Sequence, residues 1–134
     1  MELYNQYLQR ITRCLGKNGV TYSSELHKLG KQLFPSRWMG VFARDTIPQD
    51  SHGYMIVNLD NSHEPGSHWV AVAHNMFYDS FGRHSSTELG FTHQRYTNTE
   101  DDAEQHVHEL NCGARCLAWL CVYHLHGPSV AKTI

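Results

Sequence analysis

Apolar residues at Leu3, Tyr7, Leu8, Ile11 and Leu15 recur at the spacing of one helix face, predicting a helix over residues 2–15 that Gly16 to Gly19 ends. A second, short helix starts at Ser23-Ser24-Glu25-Leu26 and runs toward Leu33, where Pro35 stops it. Both are expected to be peripheral. Trp38 to Pro48 is an apolar approach that ends in a turn, in which Asp45 either pairs with Arg44 or caps Thr46-Ile47-Pro48. The pattern then becomes that of strands. Gly53 to Leu59, His68 to His74 and Met76 to Asp79 are three short apolar runs, separated by the polar loop Asp60 to Ser67 and a tight turn near Asn75. They predict an antiparallel meander. Ser80-Phe81-Gly82 breaks the third strand, a helical or irregular stretch runs to Leu89, and Phe91 to Tyr96 is a candidate strand. Thr97 to Glu104 is acidic and polar, a loop or an edge.

The closing run, Asn111 to Leu125, is of another kind. A small polar residue opens it as N-cap, and Gly127-Pro128 closes it. Beyond the first turn, Leu117, Ala118, Trp119, Leu120, Val122 and Leu125 place apolar side chains on nearly every face, as in a helix buried in a core. Cys112 falls in the first turn, where unpaired N–H groups and the positive end of the helix dipole favour a thiolate. Two helices, a small sheet and a core helix make an α+β domain, expected to be one unit over residues 1–134.

Composition narrows the classes. No apolar run approaches the roughly 20 residues needed to span a bilayer, and MELYNQYLQR carries no signal-peptide pattern. A soluble intracellular protein is expected, with a virion or host nucleus among its locations. A formal charge of −2 gives no basic footprint, so nucleic acid is not an expected partner. Cys112, Cys116 and Cys121 share one helix; the 112/116 pair at i,i+4 is a poor disulfide candidate, and all three read as reduced thiols, the latter two as core packing. His106, His108 and Cys112 offer zinc-type donors, but no paired C-x-x-C spacing supports a metal, and neither metal nor cofactor is expected. His124 and His126 are expected to meet the negative helix end.

A cysteine nucleophile needs a base, a group to orient that base and donors for the oxyanion. His68 opens one strand and Asp79 closes the next, so an antiparallel hairpin brings both to one edge of the sheet. Gln105, seven residues before Cys112, has an amide that can reach the front of the helix and join the Cys112 N–H as an oxyanion hole. Each residue also has a plainer reading: a buried thiol for Cys112, a surface histidine for His68, a turn cap for Asp79, a solvated loop residue for Gln105.

Local context decides between these readings. Gly66-Ser67-His68-Trp69-Val70-Ala71-Val72-Ala73, Tyr78-Asp79-Ser80-Phe81-Gly82, Gln105 and Asn111-Cys112-Gly113 together resemble the adenovirus endopeptidase (adenain) family, whose order is shared by the proteases that process ubiquitin-like modifiers. Val41 to Pro48 is similar to the segment ahead of the first sheet strand in adenain-like proteins of DNA viruses and large virus-like transposons. The resemblance covers about residues 38 to 125. It implies a papain-like cysteine protease fold of the adenain type, a small mainly antiparallel sheet on a central helix carrying the nucleophile. It assigns the general base to His68, its orienting acid to Asp79, an oxyanion donor to Gln105 and the nucleophile to Cys112.

What the resemblance further implies is a thiol endopeptidase of viral or transposon origin that processes precursor structural proteins during particle maturation. Three features depart from the adenovirus enzymes. The turn between the His and Asp strands is shorter, Asp79 stands where they have glutamate, as in the deconjugating proteases, and the chain ends soon after the cysteine helix. No cysteine lies between Asp79 and Cys112 to hold a disulfide-linked activating peptide, and no positive charge excess supports activation by DNA. Cleavage of ubiquitin-like proteins from their targets, and an inactive relative serving as a binding module, are the alternatives.

Overall fold

The computed structural model describes residues 2–15, 23–48, 52–59, 68–82, 97–99 and 111–134. The two N-terminal helical periods become α1 (Glu2–Leu15) and α2 (Ser23–Leu33). The strands are β1 (Trp38–Ala43), β2 (Tyr54–Asn58), β3 (Trp69–Ala73), β4 (Met76–Tyr78) and β5 (Thr97–Asn98). The long C-terminal helix is α3 (Cys112–His126), followed by the short α4 (Pro128–Lys132). The described residues are therefore α+β, with five strands in the order β1-β2-β3-β4-β5. The expected ends and connections at residues 16–19, 60–67, 83–89 and 91–96 lie outside the described residues.

The sheet is mixed rather than mainly antiparallel. The meander β2-β3-β4 is antiparallel as expected, but β1 pairs parallel with β2 and β5 parallel with β4. Trp38 to Ala43, expected to be only an approach to the sheet, is its edge strand. Its alternation is interrupted by a bulge between Trp38 and Gly40, where Gly40 takes φ 139°, a conformation glycine adopts without a Cβ penalty. A short 3-10 turn follows. Thr46 closes it, its hydroxyl accepting from the Ala43 N–H at 3.0 Å and donating to the Ala43 carbonyl at 3.1 Å.

Strands β2 and β3 read as continuous apolar runs because both of their faces are buried. Tyr54, Ile56, Ala71, Ala73 and Tyr78 face the main core, while Met55, Val57, Val70, Val72 and Phe77 face a second cluster with Ile47. The main core is built around α3, in which every residue from Cys112 to Val122 is buried. That matches a helix apolar on most faces. The indole of Trp119 donates to the Ala131 carbonyl at 3.0 Å and lies flat against Tyr78, with ring centroids 5.3 Å apart. Gly127, at φ 89°, turns the chain out of α3, and Pro128 then opens α4 rather than ending helical structure.

Helix α1 is less peripheral than its period implied. Its buried residues are Tyr4 and Ile11, while Leu3 is exposed. Tyr7, Leu8, Ile11 and Leu15 keep the expected face, and only its first position moves, from Leu3 to Tyr4, whose hydroxyl has a buried partner, the Tyr78 hydroxyl at 2.7 Å. An aromatic can enter a core hydroxyl first when that hydroxyl is hydrogen-bonded. Helix α2 packs through Leu26 and Gly30, the latter lying directly under the Trp38 indole.

Candidate active site

His68 directly precedes β3, its carbonyl accepting from the Leu59 N–H at 3.0 Å, and Asp79 directly follows β4. The β3/β4 register pairs Ala71 with Tyr78 and Ala73 with Met76, so the open end of the hairpin carries both residues. The closed end is tight: His74 takes φ 53°, the left-handed conformation that two-residue hairpin turns require. A short turn thus fixes the register that brings the imidazole to the carboxylate.

The pairing is direct. His68 Nε2 lies 2.8 Å from Asp79 Oδ1, with His68 buried and Asp79 almost fully so. The same oxygen accepts the Phe81 N–H at 2.8 Å, and the Asp79 carbonyl accepts the Gly82 N–H at 2.8 Å. Gly82, at φ 74°, supplies the left-handed residue that closes this turn. Capping the turn and orienting the histidine, which the sequence left as alternatives for Asp79, are done by one carboxylate. A carboxylate accepts only, so Nε2 carries a proton and Nδ1 is the ring nitrogen left for another partner.

Cys112 is close enough to act on the ring. Burial pushes the His68 pKa down, but hydrogen bonds to Asp79 and Cys112, with the charges on both, outweigh it and raise it to about 9. The imidazole is therefore an imidazolium at neutral pH, held between a carboxylate and a sulfur. Cys112 is the first residue of α3 and 7% exposed, so its sulfur is carried at the helix tip rather than on an open surface. Asn111 is the N-cap residue, as expected, but its side chain makes no cap bond.

The structure thus brings together three of the four expected site residues, His68, Asp79 and Cys112. Gln105 lies outside the described residues, as do His106, His108 and the acidic run at 100–104. Trp69, beside His68, is half-buried against the main core. Among the described residues no cluster of three or more His, Cys, Asp or Glu could hold a metal ion.

Two neighbours escaped sequence reasoning. The Phe81 ring stacks on the His68 imidazole, with centroids 4.4 Å apart and planes 22° from parallel. Extending the β3/β4 register sets Phe81 opposite His68, and that arithmetic was the available signal. The second is Arg115, buried one turn into α3 and hydrogen-bonded to Asn111 and Tyr4. A charged residue inside an otherwise apolar helix was its signal.

The remaining cysteines are separate from this chemistry. None of the four cysteines is in a disulfide, Cys116 and Cys121 are buried in the core, and burial raises the Cys121 thiol to about 12. His124 and His126 bond to tyrosines rather than to the helix end: His124 Nδ1 lies 2.9 Å from the Tyr54 hydroxyl, and His126 Nε2 lies 2.9 Å from that of Tyr7.

Among the described helices none is long and apolar enough to cross a membrane. No family model, no curated protein and no solved structure matches the chain.

Proposed function

We propose that this chain is a small cysteine endopeptidase of the adenain type, with the papain-like arrangement its motifs resemble. The observation that carries the reading is one imidazole bonded to Asp79 through Nε2 and close enough to Cys112, at the tip of a buried helix, for the sulfur to help raise its pKa. A buried histidine kept cationic beside a sulfur serves as proton donor for a thiolate nucleophile, whereas a core cysteine needs no such partner.

In this mechanism the Cys112 sulfur attacks the carbonyl carbon of a peptide bond. A C–S bond forms, and the carbonyl electron pair moves to oxygen. The oxyanion is received by the Cys112 backbone N–H and the Gln105 amide; each such donor is worth on the order of 100-fold or more in rate. His68 gives its Nδ1 proton to the amine nitrogen, the C–N bond breaks and the amine leaves. Neutral His68 next takes a proton from water, the hydroxide attacks the thioester, and the sulfur departs as thiolate while His68 is again cationic. Proton transfer of this kind contributes about 100- to 10,000-fold. Asp79 stays ionised throughout, fixing the ring and balancing its charge.

Precursor structural proteins of a virus or virus-like transposon are the proposed substrates, by resemblance. A peptide-aldehyde or vinyl-sulfone probe tests the activity. Labelling of Cys112 that is lost in His68→Ala supports the protease, and absence of labelling across pH 5 to 9 favours a binding module. Hydrolysis of a peptide library, set against modifier–fluorophore conjugates, separates an endopeptidase from a deconjugating enzyme.

A further inference from the structure

Arg115 is 8% exposed, one turn into the helix that begins with Cys112. Its Nε–H donates to Asn111 Oδ1 at 3.0 Å and its Nη1–H to the Tyr4 hydroxyl at 3.2 Å. The Tyr4 hydroxyl is in turn 2.7 Å from that of Tyr78, the residue before Asp79. A continuous chain of polar contacts therefore runs from the residue before Cys112 to the residue before Asp79.

Two features give this chain a purpose beyond packing. Asparagine at an N-cap ordinarily accepts from the N–H of the second or third helical residue, here Gly113 or Ala114. Asn111 does not, because its side-chain oxygen is bonded to Arg115. The second feature is cost. Burying a guanidinium is expensive, and an apolar residue of similar size would fill the same core helix at least as stably. An arrangement that forgoes a cap and buries a cation, both beside Cys112, is poorly accounted for by stability alone.

We propose that Arg115 is a positioning residue: it holds Asn111 off the helix cap and, through Tyr4, ties the turn bearing Cys112 to the end of β4 that bears Asp79. This rests on the protease reading for its consequence, but its geometry can be tested without it. The sulfur and the imidazole are held at fixed separation by the Tyr4 link. The N–H groups at the helix tip stay clear of the Asn111 side chain and face the place where a carbonyl oxygen becomes charged.

The test joins backbone hydrogen exchange with steady-state kinetics on the full chain. A working asparagine cap would make exchange at Gly113 and Ala114 about 10-fold faster in Asn111→Ala. The proposal expects exchange there within twofold of the parent, and a tenfold rise overturns it. In Arg115→Gln, Asn111 is released to cap, so exchange at these amides slows. The kcat for a peptide ester falls about 10- to 100-fold, the scale of a small misplacement, while KM changes little. A folded Arg115→Gln chain with unchanged exchange and kcat overturns the proposal. Should Arg115→Gln not fold, the Asn111→Ala exchange decides. Absence of any parent turnover at Cys112 sinks the protease reading instead, and leaves the exchange results to judge the Arg115–Asn111 contact.

Discussion

Replacing Asp79 by asparagine keeps the size of the side chain and removes the charge that sets His68. In the parent, hydrogen bonds and charge from Asp79 and Cys112 raise His68 to about 9 from the ordinary 6.5 in spite of burial. A difference of that size corresponds to about 3 kcal/mol of folding free energy at most, shared between Asp79 and Cys112. The sign follows from the direction of the shift. A histidine raised in the folded state contributes stability that is fully present below pH 6.5 and lost as pH rises toward about 9. Urea unfolding of the parent should therefore show stability declining across that interval, with the midpoint falling. In Asp79→Asn the decline should shrink or vanish, because the ring loses its carboxylate while burial still opposes its charge. The imidazole 15N signals, followed by NMR titration, report the same event directly. A parent His68 that titrates at 6.5 or below, or an Asp79→Asn chain with an unaltered His68 midpoint, refutes the reasoning.

Removing the ring that stacks on His68, in Phe81→Ala, exposes the His68–Asp79 pair to water; the His68 midpoint should fall toward 6.5 and Cys112 alkylation at neutral pH should slow severalfold. Iodoacetamide with peptide mapping should modify exposed Cys14 and the Cys112 sulfur in the folded chain. Cys116 and Cys121 should be protected until denaturant is added: Cys116 is fully buried, and Cys121, no more exposed than Cys112, has no histidine partner and a thiol raised to about 12. Gly30→Ala should lower stability by about 1–3 kcal/mol in thermal or urea unfolding although alanine favours helices, because a Cβ there would lie inside the Trp38 indole. Trp119→Phe deletes the hydrogen bond to the Ala131 carbonyl and should cost about 1–3 kcal/mol, loosening α4 first, as measured by exchange of its amides.

The elements legible in the sequence were those with local signals. The helical period of residues 2–15, the stop at Pro35 and the all-round apolar face of α3 each lie within one segment, and the structure has helices there. Strand β1 was not legible, because it exists through parallel pairing with β2, and its bulge at Gly40 breaks the alternation that would mark a strand. Tyr4 was passed over for Leu3, since hydropathy ranks leucine higher. The decisive fact is a hydroxyl partner 74 positions away, the Tyr78 hydroxyl. His124 and His126 went to tyrosines for the same reason, long-range side-chain geometry having no local trace. Of the site, the His68–Asp79 contact was legible because a short hairpin fixes it by register. The Phe81 stack and the Arg115 link were not read, since each needs the turn after β4 or the packing of α1 in place.

The central claim is that the Cys112 sulfur, served by His68, becomes covalently acylated by a substrate. Rapid quench of the chain with an activated peptide ester, followed by intact mass and peptide mapping, measures this directly. The account predicts a burst of one acyl group on Cys112, absent from Cys112→Ala and reduced at least about 100-fold in His68→Ala. Acylation of Cys14 alone, or a Cys112 adduct forming at the same rate without His68, would contradict it.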